Sequence, residues 1–203
     1  MTVSYYDENS FPEKTVIEIV DDDTFSIASE GDCCLNFASH KRPGGGYKSV
    51  QDLKMIIKTQ EEDLFRRSNL PEIMDTPEIR KHYPLMGVTG LYCEATVSKD
   101  KLLNPIEPFN VGIVTVPAVV NPQIEDLELV ENKARLIFDI AAEHGHKTLI
   151  LGAWGCGIFN NDPYGIANLF LTLSKEYKFD KIIFAVPGKE SVNHKVFQDA
   201  VES

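Results

Sequence analysis

Two glycine-rich segments and one pair of adjacent glutamates carry the chemistry that can be read from this chain. Gly44-Gly45-Gly46 lies in SHKRPGGGY (Ser39–Tyr47), and Gln60-Glu61-Glu62 follows after thirteen intervening residues, Tyr47 to Thr59. Consecutive glycines let a backbone approach a ligand closely and adopt positive φ, although a plain tight turn has the same composition. The second segment, Gly152–Phe159, reads GAWGCGIF between an apolar run and a stretch of helical period. A loop after the carboxyl end of a buried strand is where ligands settle in open α/β sheets. Its glycines can leave several N–H groups pointing at one anion, a nest that binds a diphosphate without any lysine. A packing turn is the alternative. Neither segment is G-x-x-x-x-G-K-[ST], and GAWGCG has G-x-x-G-x-G spacing in place of G-x-G-x-x-G, so ATP hydrolysis and ordinary hydride transfer are disfavoured.

Adjacent glutamates on a helix are ordinarily solvated. Neighbouring residues point about 100° apart, so at most one of Glu61 and Glu62 aims squarely into a given pocket. A Leu53/Ile57/Leu64 stripe would turn Glu61 toward a sheet and leave Glu62 beside Met55 and Phe65. Periodicity alone does not decide which carboxylate does chemistry.

The elements that must position these groups alternate between short apolar runs and helix-period segments, the signature of an α/β domain. Strands are expected at Thr15–Val20, Cys33–Phe37, Val111–Val116 (stopped by Pro117), Lys147–Leu151 and Lys181–Val186, with one or two more within Met86–Val97. Asp23-Thr24 can cap a short helix reaching about Ser29. Longer helices are expected at Ser49–Ser68, Ile124–His144 before a stop at Gly145, Pro163–Tyr177 and Ser191–Val201. Several strands lack alternation, as when helices cover both faces of a sheet. The expected fold is a three-layer α/β/α sandwich with a mixed sheet, in one domain over residues 1–203.

Composition bounds the function. The 203 residues carry 31 acidic and 20 basic side chains, a formal charge of -11, with an ordinary globular share of hydrophobic residues at 43%. This argues against general duplex nucleic-acid binding, which needs a clustered basic face. No targeting signal and no run of membrane-spanning length is seen, so an intracellular protein, cytoplasmic or nuclear and not secreted, is expected, with no membrane partner. Cys33, Cys34, Cys93 and Cys156 form no C-x-x-C pair and read as reduced thiols. The five histidines do not cluster with them at metal-ligand spacing; His144 and His146 flank a glycine at a helix end, where polar residues are common.

Taken together and in order, LNFASHKRPGGG, TQEEDLFRRSNL, GIVTVPAVVN, LILGAWGCGIFNNDP and IIFAV resemble the poly(ADP-ribose) glycohydrolase family, in particular its bacterial-type, macrodomain-like branch. The resemblance runs from about Val16 to Phe197 and implies a concrete site. Glu62 would be the catalytic acid, and Glu61 would hold ribose hydroxyls at the scissile linkage. Gly44, Gly45 and Gly46 would lie along the distal ribose and diphosphate, with Gln60 among the ligand contacts. Gly155, Cys156, Gly157, Ile158 and Phe159 would wrap the diphosphate, mainly through backbone N–H groups, with Phe159 also against a ribose. Asn36 and Ser39 match the outer positions of the strand end that macrodomains use, and Asp23 sits where macrodomains often place an adenine-binding aspartate.

The implied reaction is hydrolysis of the O-glycosidic ribose–ribose bond of poly(ADP-ribose), mainly from the terminus, releasing ADP-ribose. Such a bond breaks through an oxocarbenium-like transition state once its leaving oxygen is protonated. One carboxyl group in a water-poor cleft can supply that proton and then deprotonate water. No metal and no cofactor is expected. The partners are ADP-ribose, its polymer and ADP-ribosylated macromolecules, and a monomer is expected. The alternatives are a catalytically weak or inactive ADP-ribose-binding module, and a hydrolase of mono-ADP-ribosylated or small ADP-ribose derivatives. The segment Tyr47–Thr59 is longer than the family pattern carries. It either extends the helix outward or shifts Glu62 in register, where a misplacement of about 1 Å costs about 100-fold in rate.

Overall fold

The apolar runs become six strands of one sheet: β1 (Val16–Val20), β2 (Cys33–Asn36), β3 (Leu91–Lys99), β4 (Pro105–Thr115), β5 (Thr148–Leu151) and β6 (Lys181–Ala185). The computed structural model describes residues 15–48 and 59–203. Strand order is β1-β6-β5-β2-β4-β3; every neighbouring pair is parallel except β3 with β4. The sheet is thus mixed, as expected.

Its two faces explain the unbroken apolar runs. Alternate residues of one strand enter different cores: Cys33 and Leu35 on one side and Cys34 on the other, Leu149 and Leu151 against Ile150, Ile182 and Phe184 against Ile183. The first core is closed by α5 (Leu127–Glu143), α6 (Pro163–Leu173) and α7 (Val192–Glu202), through Ile137, Phe138, Phe170 and Phe197. The second is closed by α1 (Thr24–Ile27), α2 (Gln60–Arg67) and α3 (Leu70–Met74), through Phe25, Leu64, Phe65, Leu70 and Met74, with α4 (Pro77–Arg80) alongside. The three-layer α/β/α arrangement follows. Among the described residues no helix is long and apolar enough to cross a membrane.

Several boundaries depart from the periodicity reading. Thr59 is extended (φ -74, ψ 156) and its hydroxyl accepts the Glu62 N–H, so α2 starts afresh at Gln60 and one helix does not run from Ser49 to Ser68. Leu53, Met55, Ile56 and Ile57 lie outside the described residues. Because α2 restarts behind its own cap, helical register is not carried from the Tyr47–Thr59 segment into Glu61 and Glu62. Strand β4 starts at Pro105, six residues before Val111; β2 pairs only with Gly112–Thr115, so the first half of β4 has a partner on one side and tolerates Pro105 and Pro108. Ile124–Asp126 is a 3₁₀ turn leading into α5, which ends before Gly145 at φ +74. Helix α6 stops at Leu173, and Tyr177 instead turns its hydroxyl to Asp139.

Candidate active site

The parallel strands β2, β5 and β6 all end at the same edge, and a cleft of about 550 Å³ opens there. Its first wall is the start of α2. Gln60 clamps the end of β2: Nε2 donates to Leu35 O (2.7 Å) and Thr24 Oγ1 (3.0 Å), and Oε1 accepts the Phe37 N–H (2.8 Å). With Leu64 and Phe65 buried beneath, this fixes which way the next two side chains point.

Glu61 turns toward the sheet, on the same side of α2 as buried Leu64 one turn on. Oε2 accepts the Ser39 N–H at 2.7 Å, while Oε1 accepts the Gly44 N–H at 3.1 Å and Asn36 Nδ2 at 3.3 Å. The residue is 2% exposed, and burial pushes its pKa up to about 7 against the opposing pull of those three donors. Glu62 is 9% exposed and has different partners: Oε1 accepts the Gly46 N–H (3.2 Å), and Oε2 pairs with Arg66 one turn along α2 (3.3 Å). Both carboxylates therefore sit at the cleft, each held by a different glycine of the GGG run.

Two of its three positions demand glycine. Gly44 and Gly45 have φ of +72 and +55, and a Cβ on Gly44 would stand 2.4 Å from the Tyr47 ring and 2.7 Å from that of Phe65. Gly45 lines the cleft with its Cβ position 3.4 Å from Glu61 Oε2.

The opposite wall is the loop after β5. Gly155 takes φ +74, and the backbone N–H groups of Gly157, Ile158 and Phe159 have no protein acceptor among the described residues. Three successive free N–H donors make a concave anion site. The Cys156 N–H is already committed to Ala153 O (3.1 Å), and its sulfur lies 3.6 Å from Trp154 O, with burial pushing the thiol up to about 12.

The structure thus brings Ser39, Gly45, Gln60, Glu61, Glu62, Gly155, Gly157, Ile158 and Phe159 together around one cleft. Asn36, Gly44 and Gly46 stand behind them as donors to the two carboxylates. Asp23 is not part of this lining. It N-caps α1 and is ion-paired with Arg67 at 2.5 Å; although burial opposes it, the Ser26 and Arg67 contacts hold its carboxyl below the usual range. Among the described residues no group of three His, Cys, Asp or Glu side chains converges as metal ligands would.

Sequence reasoning did not find the far end of the cleft, where Ala185, Val186, Pro187, Ser191 and Asn193 line it. These residues lie between a strand and a helix cap, with no glycine run or charge to mark them. It also passed over Asn161, which follows the anion loop and bonds back into it.

The site is thus a glycine-rich cleft at the carboxyl edge of a mixed six-stranded sheet, with two buried glutamates facing an anion loop. A family model described as the catalytic domain of microbial-type poly(ADP-ribose) glycohydrolase matches residues 2–94, the part that holds the GGG run and both glutamates. The whole fold is similar to solved structures of that enzyme. Poly(ADP-ribose) glycohydrolase from Thermomonospora curvata is 29% identical, with 94% of this chain and 78% of that one covered and a TM-score of 0.80. The Deinococcus radiodurans enzyme in complex with ADP-ribose is 28% identical over 93% and 84% of the two chains, TM-score 0.79. The Thermomonospora enzyme bound to the inhibitor ADP-HPD is 29% identical over 92% and 79%, TM-score 0.77. No curated protein matches the chain in sequence. In the first part of its sequence and in its whole fold, the chain is similar to the microbial-type poly(ADP-ribose) glycohydrolases.

Proposed function

We propose that this protein hydrolyses the ribose–ribose O-glycosidic bond of poly(ADP-ribose) from the chain terminus, releasing ADP-ribose, with Glu62 as the acid and base. The observation that carries this reading is the pairing across one cleft: two buried carboxylates on α2 against the free N–H groups of Gly157–Phe159. A diphosphate seated on those N–H donors needs no lysine, which suits a chain of net charge -11. The ribose at the scissile bond then lies toward α2. Glu62 protonates the leaving oxygen, the oxocarbenium-like centre forms, and the resulting carboxylate takes a proton from the incoming water. Glu61, fixed by Ser39, Gly44 and Asn36, receives ribose hydroxyls and positions the sugar.

Structures of the Deinococcus and Thermomonospora relatives with ADP-ribose and ADP-HPD support the ligand class. All four cysteines are free thiols, which supports an intracellular setting.

The test is turnover with a matched variant. Wild type incubated with poly(ADP-ribose) should release ADP-ribose, and Glu62→Gln should lose about 100-fold or more of that rate while keeping its affinity for ADP-ribose in titration calorimetry. Release that survives Glu62→Gln removes the acid assignment. A wild type that binds ADP-ribose without turnover is a binding module. Turnover confined to mono-ADP-ribosylated protein or nucleic acid moves the substrate.

A further inference from the structure

A loop that offers its N–H groups to a cleft must be held in shape from behind, and here one side chain anchors both of its ends. Asn161 is 4% exposed, behind the Gly155–Phe159 loop, and absent from the cleft lining. Its Nδ2 is 2.8 Å from Val119 O, 3.2 Å from Gly155 O and 3.3 Å from Phe159 O. Two hydrogens serving three acceptors are shared between them. Its backbone N–H also reaches Gly155 O (3.0 Å), Asn160 N–H reaches Gly157 O (3.0 Å), and Asn121 N–H reaches Phe159 O (2.8 Å). The carbonyls of Gly155, Gly157 and Phe159 are thereby all drawn to the inner side of the loop. The peptide partners of the Gly155 and Phe159 carbonyls are the N–H groups of Cys156 and Asn160, both bonded inside the loop, so Asn161 acts by pinning the two ends of the turn between which Gly157, Ile158 and Phe159 present their N–H groups.

Two further observations make this specific to Asn161. Its Oδ1 is buried and accepts no hydrogen bond, so the polar contribution of the side chain is all from the NH₂ group. A Cβ on Gly155 would stand 2.6 Å from Nδ2, so glycine and carboxamide interlock. The acceptor on Val119 belongs to the segment that carries Ala118, the cleft residue on that side, so one amide ties both loops together.

We propose that Asn161 is a positioning residue for diphosphate recognition, acting through the backbone it bonds and never touching the ligand. This rests on the ADP-ribose reading of the cleft. The prediction is selective: ligands that carry a diphosphate lose affinity when the NH₂ is removed, and the same ligand without its phosphates does not.

The experiment compares wild type, Asn161→Ala and Asn161→Asp against ADP-ribose and ADP by titration calorimetry, and against adenosine by NMR titration. Asn161→Asp keeps the shape and removes the donor, and serves if Asn161→Ala fails to fold. The expected result is a loss of about 10-fold or more in affinity for ADP-ribose and ADP, with adenosine changed by less than about two-fold. Unchanged diphosphate affinity overturns the proposal. So does a parallel loss for adenosine, or failure of both variants to fold, since each marks a merely structural role. A wild type that binds ADP but not ADP-ribose removes the glycohydrolase reading and leaves this inference standing; one that binds neither overturns both.

Discussion

Oε2 of Glu61 accepts the backbone N–H of Ser39 at 2.7 Å, joining the first turn of α2 to the chain just beyond β2. With Gly44 and Asn36 on the other oxygen, a single buried carboxylate ties a strand end, a glycine run and a helix into one wall.

That burial has a consequence for stability against pH. Glu61 titrates at about 7 in the folded protein against an ordinary value of 4.5. Between those values the folded state holds a proton that the unfolded chain releases. The contribution is fully present below about pH 4.5 and is lost as pH rises through about 7. Urea unfolding of wild type should therefore show stability from this group falling by about 3 kcal/mol from pH 5 to pH 8. Glu61→Gln should flatten that slope, at lower absolute stability, because its NH₂ would face N–H donors. Equal slopes in the two proteins would refute the assignment.

The anion loop makes a second prediction by contrast between two of its glycines. A Cβ on Gly155 meets Asn161 Nδ2 at 2.6 Å and Ala118 at 2.7 Å, at φ +74, whereas a Cβ on Gly157 meets nothing within 4 Å. Gly155→Ala should cost about 2 kcal/mol or more in thermal or urea unfolding and weaken ADP-ribose binding. Gly157→Ala should stay within about 0.5 kcal/mol of wild type. Similar costs at both sites would mean the loop relaxes freely and is not held by Asn161.

Much of this site was legible before any coordinates, for identifiable reasons. A glycine run ahead of a glutamate pair and a glycine-rich loop after a buried strand are local signals, and they mark both walls. The stripe that turns Glu61 toward the sheet in sequence is Leu53/Ile57/Leu64; of these only Leu64 lies in α2, one turn from Glu61, and both are buried. What failed was whatever depends on a distant partner. The extended Thr59 looks helical in sequence because threonine is compatible with both states and its capping bond is visible only in three dimensions. The first half of β4 is exposed and contains two prolines, so only its pairing with β3 identifies it. Arg67 draws no reading from sequence, yet it is 1% exposed and bound to two aspartates.

That Arg67 cluster makes a third prediction. Nη1 contacts Asp23 at 2.5 Å and Asp63 at 2.9 Å, and Nε donates to Lys99 O at 3.2 Å, so one guanidinium joins α1, α2 and the end of β3. Arg67→Met would leave two partly buried carboxylates without their cation. The expected loss is about 2–4 kcal/mol in urea unfolding at pH 7, shrinking at low pH as Asp23, held below the usual carboxylate range by Ser26 and Arg67, takes up its proton. A loss that does not change with pH would show the side chain to act by packing against Phe25 instead.

The last prediction concerns what holds the GGG run from outside the cleft. The Asp75 side chain is 2% exposed; Oδ2 accepts the Tyr47 hydroxyl at 2.8 Å and meets Lys48 Nζ at 2.5 Å, and Oδ1 pairs with Arg80. Tyr47 packs on Phe65 at 5.0 Å, and its N–H closes the glycine turn on Gly44 O at 3.0 Å. Asp75 therefore fixes the residue that ends the turn whose N–H groups hold both glutamates. Lys48 is 68% exposed and adds little, so the weight falls on the Tyr47 hydroxyl. Tyr47→Phe and Asp75→Ala should each lower kcat/KM on poly(ADP-ribose) by about 10-fold, and the double variant should lose little more than Asp75→Ala alone, because both remove the same bond. Fully additive losses would mean that Asp75 acts on the cleft by another route, through Arg80 and α4.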